Sequence, residues 1–147
     1  MDRMSEVPSP LPFELVYRGK GLWRTRWTEE QLFIAVGGTE AAPAAPLVDT
    51  LRDVVTRWGQ VKETIATFVR GLASGHHVPL DPSSLGGFAA RSCGFDQPLS
   101  FESISVKFPE LPHRVVVTFY TGYPDGYATY AVTIDNGVPT AVSAFAS

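Results

Sequence analysis

Apolar residues follow two rhythms along this chain, and the rhythm changes twice. From Phe13 the pattern alternates. Phe13, Leu15 and Tyr17 share one side of an extended segment, and Trp23, Thr25 and Trp27 share one side of the next. Gly19-Lys20-Gly21 turns the chain between them, and Thr28-Glu29-Glu30 turns it again before the apolar run Gln31 to Val36. Three antiparallel strands are therefore expected first. The alternation places Trp23 and Trp27 on the core side of the second strand and Arg24 and Arg26 on the solvent side.

After an Ala/Pro-rich loop the spacing becomes helical. Leu47, Leu51, Val54, Trp58, Val61, Ile65, Phe68 and Leu72 are separated by fours and threes, which places all eight on one stripe of a helix. Asp49, Arg52, Asp53, Arg57, Lys62, Glu63 and Arg70 occupy the other side. Pro46 suits a first helical position, where its missing N–H costs nothing. Gly59 lies mid-run, so the stripe is read either as one long helix bent near Trp58-Gly59 or as two helices joined there. One long helix is the reading adopted.

Residues 76–98 are irregular. The strand rhythm then returns in Ile104, Val106 and Phe108 and runs to the end of the chain. Val115 to Tyr120 and Tyr127 to Ile134 flank a Gly/Pro/Asp cluster, the mark of a hairpin. Asn136-Gly137 provides a second tight turn before Val138 to Phe145, where Pro139 indicates an edge strand or a strand start. The order is three strands, a long helix and a four-strand meander. It predicts a two-layer α+β fold in which an antiparallel sheet packs on one amphipathic helix. Residues 1–11 read as a tail and residues 12–147 as a single domain.

Composition narrows the function classes without selecting one. The 147 residues carry a net charge of −3, which argues against nucleic acid as the partner. No apolar run is long enough to span a bilayer, and the N-terminus lacks a signal-peptide core, so a cytoplasmic protein is expected. A single cysteine, Cys93, excludes an internal disulfide. Cys93 with His76 or His77 could supply a nucleophile and its base, which would make the chain a small thiol hydrolase or transferase. Their spacing matches no zinc template, and no metal or cofactor is expected. Tyr120, Tyr123 and Tyr127 gather with Asp125 around the tip of the first hairpin. Tyrosines there suit a protein partner or a sugar.

Trp-bearing strands, a long amphipathic helix and a meander carrying Trp23, Tyr130, Val132, Asn136 and Gly137 together resemble certain small uncharacterised bacterial α+β domains. Some of those domains are thought to be immunity proteins for secreted toxins. The resemblance implies a non-catalytic protein-interaction domain, with no site residue carried over from it.

Overall fold

The computed structural model describes residues 11–73, 99–123 and 126–145. Seven strands form one sheet in the sequential order β1 to β7. They are β1 (Val16–Tyr17), β2 (Leu22–Trp27), β3 (Leu32–Gly37), β4 (Ser100–Val106), β5 (Arg114–Tyr123), β6 (Gly126–Asp135) and β7 (Val138–Phe145). Two helices, α1 (Ala45–Thr56) and α2 (Trp58–Ala73), lie between β3 and β4.

The expected α+β class is present, with three corrections. First, the sheet is not wholly antiparallel. β3 and β4 run parallel, with Phe33 opposite Ser103 and Val36 opposite Val106, and this pair joins the two blocks of strands. A parallel neighbour needs a long crossover, which the helical segment supplies. Second, the single long helix is two. Arg57 leaves helical geometry at φ −109° and ψ 26°, although Arg57 N–H still reaches Asp53 O and Val61 N–H reaches Arg57 O. Gly59 then falls in the first turn of α2 rather than in mid-helix. Third, Phe108 lies beyond the end of β4 and is exposed, because Pro109 follows it and the chain turns away from the sheet.

The first expected strand is also shorter in its pairing. Only Val16 and Tyr17 pair with β2, while Leu11, Phe13 and Leu15 pack against the core as irregular chain. Phe13 reaches Trp27 at 5.8 Å between ring centres.

One face of the sheet and the inner side of the helices make the core. Leu32, Ile34, Val36, Ile104, Val106, Val115, Val117, Phe119, Tyr130, Val132, Ile134 and Val142 are buried against Leu47, Leu51, Val54, Trp58, Ile65 and Val69. Val69 takes a place that the heptad count gave to Phe68, which is only partly buried. Trp58 anchors the junction of the helices, edge-on to Phe101 at 5.3 Å. Phe119 and Tyr130 stack at 5.3 Å, so Tyr130 is a core residue and not part of a surface aromatic cluster. No described helix lies on the opposite face, and none of the described helices is long and apolar enough to cross a membrane.

Candidate binding surfaces

Strand alternation and antiparallel register together build the outer face. The turn at residues 28–31 sets Trp27 opposite Leu32, which brings Arg26 opposite Phe33 and Arg24 opposite Ala35. Since Trp27, Leu32, Ile34 and Val36 point into the core, Arg24, Arg26, Phe33 and Ala35 project outward. Phe33 is 53% exposed, and the Arg26 guanidinium lies 4.7 Å from its ring centre. Val16, opposite Arg24, is exposed as well.

From Phe33 the paired positions of the outer face continue through small, uncharged side chains, with exposed Glu102 at the register shift of β4 accepting from Thr118 Oγ1 at 3.4 Å. Ser103, Thr118, Ala131 and Ser143 follow it strand by strand, and Ser105, Val116, Thr133 and Ala141 follow Ala35. The Ser103 and Thr118 hydroxyls bond to each other at 2.5 Å. At the far end Arg114 grips Asp135 in a two-pronged pair, Nε to Oδ1 at 2.8 Å and Nη2 to Oδ2 at 3.0 Å. Those bonds from Arg114 are the main cause that holds the Asp135 carboxyl below its ordinary range, and Thr140 Oγ1 adds a third at 3.1 Å.

Charge is distributed unevenly between the two layers. On the helical side Arg52 pairs with Asp49 at 3.0 Å, Arg57 with Asp53 at 2.8 Å and Lys62 with Glu30 at 3.7 Å. Arg24 and Arg26 are exposed and have no carboxylate partner among the described residues. The molecule is acidic in total, yet this corner of the sheet is locally cationic.

A second feature lies on the helical side. A cleft of about 560 Å³ opens between the helices and the turns that flank β5 and β6. Val54, Val61, Val115 and Ile134 give it an apolar floor, with Asp49, Asp53, Arg57, His113 and Asn136 around it. Thr50 Oγ1 donates to Pro112 O at 2.5 Å and fixes α1 to the β4–β5 turn that carries His113.

His76, His77, Cys93 and Asp125 lie outside the described residues. Tyr120 is 39% exposed on β5. Tyr123 is the last residue of β5 and Tyr127 the second of β6, with Tyr123 opposite Gly126 and Gly122 opposite Tyr127. Among the described residues no three His, Cys, Asp or Glu side chains gather as metal ligands would. Phe33 is the surface residue that the sequence reading missed. The run Leu32-Phe33-Ile34-Ala35-Val36 is apolar throughout, which hides its alternation, although Arg26 on the paired strand marks the solvent side.

No family model, curated protein or solved structure matches the chain.

Proposed function

We propose that the chain is a non-catalytic protein-interaction domain that docks an acidic partner surface on the outer face of its sheet. The observation that supports this is the placement of Arg24 and Arg26, exposed and unneutralised among the described residues, beside the exposed ring of Phe33. Arginine and aromatic side chains are enriched where proteins bind each other: the guanidinium groups can pair with carboxylates of the partner while the Phe33 ring supplies apolar contact. The Ser, Thr, Ala and Val side chains at the paired positions next to them allow close approach, with Glu102 beside Thr118 setting the side from which an acidic surface is turned away. Inhibition of a toxin, the role implied by the resemblance, would then act through an acidic surface of that toxin. The net acidity of the chain does not describe the surface that binds.

Capture experiments with the R24E/R26E and Phe33→Ala variants test the reading. Wild type should retain a partner whose binding weakens as salt rises, and R24E/R26E should lose it while keeping wild-type thermal stability. Retention of the same partner by R24E/R26E would refute the proposal. So would binding of a single-stranded oligonucleotide in place of a protein, since cations beside an aromatic ring also suit nucleic acid.

A small-ligand receptor is the second reading. In its favour is the apolar floor of the cleft, formed by Val54, Val61, Val115 and Ile134.

A further inference from the structure

Among the described residues the strand order leaves the sheet two edges, β1 and β7, and they differ in kind. β1 pairs through only two residues, and Pro12, Glu14 and Arg18 border it. Shortness, charge and proline all discourage a further strand from adding there. β7 has eight residues, Val138-Pro139-Thr140-Ala141-Val142-Ser143-Ala144-Phe145, and none is charged. Its proline and its register shift both lie near the turn, which leaves Ala141 to Phe145 as plain strand.

The turn geometry fixes which backbone groups β7 leaves open. Asn136 and Gly137 have φ of 52° and 80°, the pattern of a two-residue hairpin, in which the flanking Asp135 and Val138 bond to each other. By alternation along β6, Thr133, Ala131 and Thr129 also bond toward β7, and their partners are Ala141, Ser143 and Phe145. Pro139 therefore faces the open edge, where its lack of an N–H costs nothing. Val142 and Ala144 direct their N–H and C=O groups to the same open side.

We infer that β7 pairs antiparallel with β7 of a second copy of this chain, joining two seven-stranded sheets across a twofold axis. A strand without charge meets its own copy with no like charges opposed. The outward-facing side chains at that edge, Ala141 and Ser143, are small enough to lie beside a symmetry mate. Because β1 is blunted, each copy has one open edge among its described strands, so pairing stops at two chains and does not continue into a filament.

Sedimentation of the full chain tests this. Wild type should sediment at twice its 16.0 kDa mass and dissociate on dilution. The variants A141K/S143K and A141E/S143E should each sediment as monomers with wild-type circular dichroism, and an equimolar mixture of the two should recover the dimer. Amide exchange at Val142 and Ala144 in the wild type should slow as concentration rises, a readout that does not depend on any variant folding. Wild type that remains at 16.0 kDa, or both charged variants persisting as dimers, would overturn the inference. Concentration-independent exchange at those two amides would also overturn it.

Discussion

Asn136 and Gly137 show how much one turn residue constrains. Both occupy the left-handed region, at φ 52° and 80°, and a Cβ added to Gly137 would meet nothing within 4 Å. The cost of Gly137→Ala is therefore conformational and not steric, and we expect a loss of about 1–2 kcal/mol in chemical denaturation. Asp135, the neighbouring residue, gives a pH-dependent contribution. Its native pKa is lowered chiefly by the hydrogen bonds from Arg114, so the unfolded chain holds that proton more tightly than the native chain. The resulting stability is fully present above the ordinary carboxyl value of 3.8 and disappears as pH falls through the lower native value. Asp135→Asn should thus lower Tm near neutral pH, and the gap from wild type should close under acid. A gap that is constant with pH would show that the Arg114 pair does not act through charge.

At the scale of elements, the helical stripe and the hairpins were legible because each has a strict period. Leu47, Leu51, Val54, Trp58 and Ile65 are buried as the spacing of fours and threes requires. Gly59 marks a join near Trp58-Gly59 as the alternative to one long helix, and the break falls just before it, at Arg57. The stripe could not decide between the two, since its spacing changes little through a local departure from helical φ and ψ. Trp58 follows that break and is 4% exposed against Phe101. Trp58→Ala should cost about 3–5 kcal/mol, measured by urea unfolding. Gly59 has open space around its Cβ position, so Gly59→Ala should raise stability by up to about 1 kcal/mol. The parallel pairing of β3 with β4 also escaped the sequence reading. It depends on where two segments far apart in the chain meet, and neither strand's alternation specifies the direction of its neighbour.

In the whole molecule, a sheet with helices on one face places almost all large apolar side chains on that face. The other side is mostly small side chains, with Tyr120, Glu102 and the Arg114–Asp135 pair among them and the corner where Phe33 meets Arg26 and Arg24 at one end. The sequence showed that those arginines were solvated, because Trp23 and Trp27 occupy the alternate positions. It did not show that an aromatic ring stands among them, since that follows from the register of β2 against β3. Tyr120 stands exposed on that outer face, whereas Tyr130, which shares its strand face with Val132 and Ile134, is inside. The most direct measurement is hydroxyl-radical footprinting of the free chain and of its complex with the captured partner. Phe33 should be oxidised readily in the free chain and protected in the complex, with Phe119 and Tyr130 unreactive in both. Unchanged oxidation of Phe33 in the complex, with protection appearing instead at Val61 and His113 in the cleft, would contradict docking on the outer face.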